Sequence, residues 1–416
     1  MQEKVKELFK NCKVTVLAFL CWLVSGLVLG AVCGTTGTAF VKTIAFVTRF
    51  REDNSWVLYL LPLGGLLSVL VIRILKVKGI GTNQIFESTY SDKKVSFLLA
   101  PAIFLCSAIT HLCGGSAGRE GAALQLGGSI ATLLGKLFKL SEEKQRILIL
   151  CGMAAFFSAI FGTPLGACVF ALEVVTVGSI CLSAVFPVFV SGISAYAVSC
   201  ALGTEPERFV YSSVPDFTVI SVLKVLVIAI LGALVSMAFC KSLHFTESIF
   251  NRYLKNDFIK AFCGGLIIVL LTVILGTTDY NGGGIEVINR IFVSGEVRYE
   301  AFLLKIIFTA ITVAAGFKGG EIIPTLFIGA TLGGAVGVLL GISSAFGAAV
   351  GMAVLFCGVT NCPLATLLIS IEMFGAKGMV FYAVAVAVSF LFSGKCSLYS
   401  SQRIVNSFFV HTENMR

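Results

Sequence analysis

The sequence predicts an all-α polytopic membrane protein, built from two related halves whose helices are broken by glycine. Three observations carry this. Apolar residues make up 57% of the chain and charged residues 13%, against about 45–50% and about 25% in soluble domains. Long stretches with few or no charges recur from one end to the other. Marked residues also repeat at one fixed offset. An apolar excess of this size has no place in a single soluble core, so the membrane is the solvent.

Val14–Val32, Val57–Leu75, Val219–Phe239, Phe262–Leu275 and Gly347–Ile371 are the least charged stretches. Several reach the ~20 residues that cross a hydrocarbon core of ~30 Å; others are shorter and interrupted by glycine. Met1–Lys13 is basic and amphipathic, with no small-residue cleavage site after a short apolar stretch. It reads as a retained interfacial helix leading into a span, not as a signal peptide. Its four lysines point to a cytoplasmic N-terminus, although Arg49 and Arg51 put positive charge beyond the first span too.

The net charge of +9 is spread over helix ends, at Lys4, Lys6, Arg73, Lys76, Lys78, Lys136 and Lys139, as interfacial anchoring requires. No basic block is interleaved with aromatic residues, so nucleic acid is not an expected partner. The 14 cysteines are scattered through apolar runs without a CxxC and behave as small hydrophobes. His111, His244 and His411 are far apart in sequence. No metal site, cofactor or catalytic triad is expected, and no enzyme.

Gly152-Met153-Ala154, Phe157, Pro164-Leu165 and Glu173 each lie 199 positions before Gly351-Met352-Ala353, Phe356, Pro363-Leu364 and Glu372. Upstream of the two copies stand Gly114-Gly115-Ser116-Ala117-Gly118-Arg119-Glu120-Gly121 and Gly316-Phe317-Lys318-Gly319-Gly320-Glu321. Each copy therefore has a glycine-rich break carrying a carboxylate, then a helix, then the Gly-Met-Ala…Pro-Leu…Glu segment. The halves divide at residues 1–208 and 209–416. Repeats with Gly/Pro-interrupted apolar segments point to a transport site at the repeat interface. Inverted and parallel repeats fit the sequence equally well.

Glycine-rich backbone inside a membrane survives only where protein or a water-filled cavity lines it. At a helix start, free N–H groups and the positive end of the macrodipole make an anion site. Three such starts stand out: Gly79-Ile80-Gly81-Thr82-Asn83; Gly118-Arg119-Glu120-Gly121; and Gly319-Gly320-Glu321-Ile322-Ile323-Pro324, whose proline suits a first helical turn.

Glu120 is the residue with most to explain, because an ionised group at membrane depth costs about 2.5–3.5 kcal/mol on insertion scales. One reading is an ion pair with Arg119, which the poor facing of adjacent helical residues disfavours. The other is a carboxylate that mimics the anion, sitting in the site when ionised and leaving when protonated, so that anion and proton compete. Glu173 and Glu372, equivalent by the repeat, suit a structural pairing with backbone or arginine. Lys318 either attracts anions or snorkels to an interface. Tyr399 either donates its hydroxyl to a buried ligand or belongs to an interfacial belt.

Gly118-Arg119-Glu120-Gly121, Pro164-Leu165…Glu173, Gly320-Glu321-Ile322-Ile323-Pro324 and Pro363-Leu364…Glu372 together resemble the CLC family of anion channels and anion/proton exchangers, in order and over nearly the whole chain. The resemblance implies a homodimer with one pore per subunit and two inverted-topology repeats of tilted helices. It implies an anion site at helix N-termini, Glu120 as the gating glutamate and Tyr399 as the central tyrosine. With the chain ending at Arg416, no cytoplasmic nucleotide-sensing domains are expected.

Three departures bear on the cargo. The chloride-selective Gly-Ser-Gly-Ile-Pro loop is replaced by Gly79-Ile80-Gly81-Thr82-Asn83, without the serine hydroxyl. Gly-x-Phe-x-Pro becomes Gly320-Glu321-Ile322-Ile323-Pro324, with a carboxylate at an apolar place. Val174 stands where chloride/proton exchangers carry an inner glutamate. These changes resemble the fluoride-exporting branch of the family, except that Ile80 replaces that branch's methionine and lacks its thioether. The implied function is fluoride/proton antiport, with Glu120 and Glu321 handling protons. Gly79, Ile80, Gly81, Thr82, Gly118, Arg119, Gly121, Gly320, Ile322, Ile323 and Tyr399 would bind the anion. A chloride/proton exchanger and a passive anion channel share these motifs and are the alternatives. The expected setting is the plasma membrane.

Overall fold

The computed structural model describes residues 2–77, 81–91, 95–211 and 213–405, with side chains from residue 15 onward. Among the described residues the chain forms sixteen α-helices: α1 (Gln2–Asp53), α2 (Leu61–Ile74), α3 (Thr82–Tyr90), α4 (Leu99–Cys113), α5 (Glu120–Leu137), α6 (Glu142–Phe161), α7 (Pro164–Glu173), α8 (Val185–Ala201), α9 (Val219–Tyr253), α10 (Asp257–Leu275), α11 (Ile285–Ser294), α12 (Ala301–Ala314), α13 (Ile322–Leu339), α14 (Ser344–Thr360), α15 (Pro363–Phe374) and α16 (Met379–Ser393). The strand content is one two-residue parallel pair, Thr176–Val177 with Arg403–Ile404.

The helices run as two series of eight. Each series opens with its longest helix (α1, α9), has a short third member (α3, α11) and a proline-led seventh (α7, α15). Eight segments are long and apolar enough to cross a membrane, while α4, α7, α12, α14 and α15 are shorter. The apolar stretch Gly347–Ile371 is not one span. Asn361 takes a left-handed conformation at φ 57° and Pro363 restarts the chain as α15, because proline cannot continue the helix before it. The basic N-terminal segment and the first span form one continuous helix, α1.

The middle of the bundle is α5 with α6 and α13 with α14. Residues 148–161 and 345–360 are buried on every side, as all-round apolar helices should be. Close crossing depends on missing side chains: a Cβ on Gly127 would stand 2.0 Å from the Gly152 carbonyl oxygen, and one on Gly351 would stand 2.1 Å from that of Gly329. Small residues at such crossings let backbones meet where apolar burial gives no drive for helix association. Phe170 and Phe356 close the seam between the halves, with ring centroids 5.4 Å apart.

The halves also cap one another. Glu372, at the end of α15, accepts the Leu165 and Gly166 N–H groups at 3.0 and 2.8 Å, at the start of α7. Glu173, at the end of α7, accepts the Leu364 and Ala365 N–H groups at 3.2 and 2.8 Å, at the start of α15. The reciprocity is that of two halves related by a pseudo-two-fold axis. It also gives each proline-led helix the acceptor its first N–H groups lack. Glu173→Ala and Glu372→Ala should each lower stability by about 1–2 kcal/mol, the worth of a lost helix cap, read as an earlier thermal unfolding in detergent. Equal losses are expected for the two; a silent variant would contradict the capping role.

Candidate functional site

The glycine breaks become three helix starts. α5 begins at Glu120 after Arg119, α13 at Ile322 after Glu321, and α3 at Thr82 after Gly81. Gly79 and Ile80 lie outside the described residues, as do Lys78 and His411. Two of the starts are stitched together across the repeat: the Gly118 N–H donates to the Gly320 carbonyl and the Gly320 N–H to the Gly118 carbonyl, both at 2.6 Å. The contact is backbone against backbone. A Cβ on Gly320 would lie 2.2 Å from the Gly121 nitrogen, and one on Gly121 would lie 2.7 Å from the Gly320 Cα and 3.2 Å from the Glu321 carboxylate. Glu321 thus stands against the start of α5.

Glu120 is fully buried. Its carboxylate folds back over its own helix start: Oε2 accepts the Arg119 backbone N–H at 3.0 Å, and Oε1 accepts from Arg119 Nε at 3.3 Å. A negative group on the free N–H end of α5 is what the macrodipole favours. The ion pair disfavoured by helical geometry therefore exists. Arg119 is the residue before the helix, at φ −102° and ψ −18°, so the rule for adjacent helical residues does not govern it. The Arg119 guanidinium bridges Glu120 and Glu207, and its backbone N–H is taken by the Glu120 carboxylate. Glu207 belongs to the segment between α8 and α9, and nothing local in the sequence marks it.

Ile322 and Ile323 are buried, so their side chains pack in the core and their contribution at the start of α13 is backbone N–H. Pro324 falls in the same turn, where a missing N–H costs nothing. Thr82 is buried at the start of α3, and Gln125 of α5 reaches from Gly121 O (3.5 Å) to Thr82 Oγ1 (3.4 Å). Asn83 Oδ1 accepts the Ser401 N–H at 3.1 Å and hydroxyl at 2.9 Å, tying α3 to the segment that carries Tyr399. Gln402 secures that segment from the other side, donating to Val174 O at 2.8 Å and Thr360 O at 2.7 Å.

Tyr399 is not in an interfacial belt. It is buried, its ring meets Phe86 edge to face at 4.9 Å, and its hydroxyl has no hydrogen-bond partner. A buried hydroxyl left without a partner calls for an explanation such as an ion or water. Val174 is buried at the end of α7, with no carboxylate in its place. Gln125, Glu207 and the Asn83–Ser401 pair were missed in the sequence. A glutamine inside an otherwise apolar helix was the one available signal.

Buried helix starts from two inverted halves, closed by a carboxylate and facing an unpartnered phenol, are the architecture of a polytopic membrane protein that moves ions. The chain belongs to the CLC family, matching the group described as voltage gated chloride channel over residues 64–394. It is 32% identical over 394 residues to the chloride/fluoride channel protein of Pseudomonas syringae pv. tomato, covering 93% of this chain and 87% of that one. It is 25% identical to the H(+)/Cl(-) exchange transporter ClcA of Salmonella typhi, over 83% and 79%. The crystal structure of a CLC-type fluoride/proton antiporter superposes with a TM-score of 0.90 at 32% identity, over 93% of this chain and 98% of that one.

Proposed function

We propose that this chain is a secondary-active antiporter that exports fluoride in exchange for protons. The reading rests on one observation: the Glu120 carboxylate occupies the N–H end of a buried helix, where an anion would otherwise sit. When ionised, it competes with the cargo. When protonated, it loses its claim on the helix dipole and leaves the site to the anion. Fluoride is small, hard and strongly hydrated, so it needs dense donors in place of its water; the starts of α3, α5 and α13 and the Tyr399 hydroxyl supply them. The likeness to a fluoride/proton antiporter supports this cargo. Residues 1–208 and 209–416 form the two repeats. The protein works without a cofactor as a homodimer in the cell membrane, with a cytoplasmic N-terminus.

Proteoliposomes loaded with fluoride test the reading, with a fluoride electrode and a pH electrode in the bath. Fluoride efflux should drive proton uptake in the opposite direction. Efflux indifferent to a pH gradient would make the protein a channel, and chloride moving as fast as fluoride would end the fluoride assignment.

Glu321 is the second carboxylate of the site, and Val174 cannot take a proton in its stead. Glu321→Gln should therefore cripple proton coupling, by about tenfold or more on the scale of a lost acid–base group, as measured by proton uptake per fluoride released. Unchanged coupling would remove Glu321 from the proton path.

A further inference from the structure

The segment between α8 and α9 joins the two halves, and it turns polar at Thr204-Glu205-Pro206-Glu207-Arg208. Its course is fixed largely by backbone. Gly162, which ends α6 at φ 73°, leaves room for Pro206: a Cβ there would stand 2.5 Å from the Pro206 Cα. The Glu207 N–H donates to the Phe161 carbonyl at 3.3 Å, and the Phe209 N–H to the Met373 carbonyl at 3.0 Å. Carbonyls at the ends of α6 and α15 thereby gain donors that their own helices cannot supply. The Phe209 ring is buried against Phe292, with centroids 5.1 Å apart. Glu207 is thus delivered to one place by groups other than its own side chain.

That place is beside Arg119, whose guanidinium Nη2 donates to the Glu207 carboxylate while its Nε donates to that of Glu120. Side-chain exposure rises along this row, from 0% at Glu120 to 12% at Arg119 and 19% at Glu207, so one cation separates a sealed carboxylate from a part-exposed one. The three groups carry a net charge of −1 when Glu120 is ionised and 0 when it is protonated. The neutral state is a closed Arg119–Glu207 pair that makes no demand on the gate. With Glu207 neutralised, the same count becomes 0 and +1. The ionised gate would then be the carboxylate that balances Arg119, and its departure would strand a buried cation, which is strongly unfavourable.

We propose that Glu207 is the counter-ion that lets the gate leave: a positioning residue that keeps Arg119 balanced when the Glu120 carboxyl quits the helix start, and so sets how readily fluoride displaces the gate. While Glu120 is ionised the two carboxylates share Arg119. Once Glu120 is protonated it gives up the Nε bond, Arg119 stays on Glu207, and the N–H end of α5 is open to the anion. Glu207 acts through Arg119 throughout and touches neither the proton nor the anion.

The inference rests on the antiport reading, and one assay separates the two. Wild-type liposomes that release fluoride without taking up protons would overturn the antiport reading itself. If the wild type couples, Glu207→Gln should raise the fluoride concentration at half-maximal efflux by about tenfold, the scale on which one neighbouring charge alters a carboxylate, and leave proton uptake per fluoride unchanged. Glu207→Asp should recover most of the wild-type fluoride dependence. In a Glu120→Gln background the gate carries no charge to hold, so adding Glu207→Gln should not raise the half-maximal concentration. The amide keeps an acceptor for Arg119 and both backbone bonds, so the variants should fold, and thermal unfolding in detergent checks that they do. A folded Glu207→Gln protein with the wild-type fluoride dependence would overturn the proposal. So would an equal rise in the Glu120→Gln background, which would make Glu207 a structural tie of the linker and nothing more.

Discussion

Replacing Glu120 with glutamine is expected to leave a folded protein that moves anions but no longer exchanges them for protons. The amide has nearly the size and reach of the carboxylate, and its oxygen can still accept the Arg119 N–H. Arg119 keeps Glu207, so no buried cation is stranded. What changes is the charge on the α5 N–H end and the ability to take up a proton. A neutral amide competes weakly for a helix start that favours an anion by about 0.3–2 kcal/mol, so the cargo gains the site at all pH values. Proton uptake driven by a fluoride gradient should fall to background, and Glu120→Ala should do the same. Fluoride and pH electrodes on the same liposomes give both fluxes. A glutamine variant that still pumps protons would move the gate to another residue.

The family and the helix starts were legible because glycine, arginine and glutamate are conspicuous in apolar sequence, and because the repeat fixes equivalence between residues. Equivalence is not contact. The offset pairs Glu173 with Glu372, yet each caps the opposite half, 191–207 residues away, which only the packing of the two halves against each other brings about. Likewise Gly118 and Gly320 were both visible as breaks, but nothing local says that their backbones bond to each other.

The Arg119–Glu120 pair was misjudged for a simple reason: the helix begins one residue later than the neighbour rule assumed. Tyr399 stood evenly between two readings until its hydroxyl proved to be buried without a partner. Gln125, Glu207 and Ser401 act over 43, 88 and 318 residues of separation respectively, and local pattern carries no trace of such contacts.

Gly320→Ala should do more damage to the fold than any other single methyl group at the site. The added Cβ would meet the Gly121 nitrogen at 2.2 Å and the Gly121 Cα at 2.8 Å. Both are backbone atoms and have no rotamer to adopt. Relief requires the two loops to part, which breaks the paired 2.6 Å bonds between Gly118 and Gly320. Two buried hydrogen bonds at about 1 kcal/mol each, with about 1–3 kcal/mol of overpacking strain, give a loss of roughly 3–5 kcal/mol. The glycine is demanded here by close approach, not by a left-handed conformation.

Gly81→Ala is the matched control. Gly81 has extended backbone at φ 165°, and a Cβ there meets nothing within 4 Å. Its stability should stay within about 0.5 kcal/mol of the parent, as for substitutions that disturb no packed group, so that any loss of fluoride flux would report on the space beside α3. Thermal unfolding in detergent and fluoride efflux from liposomes, measured on both variants, separate the two effects. A Gly320→Ala protein as stable as Gly81→Ala would mean that the junction of the two helix starts is looser than the backbone contact implies.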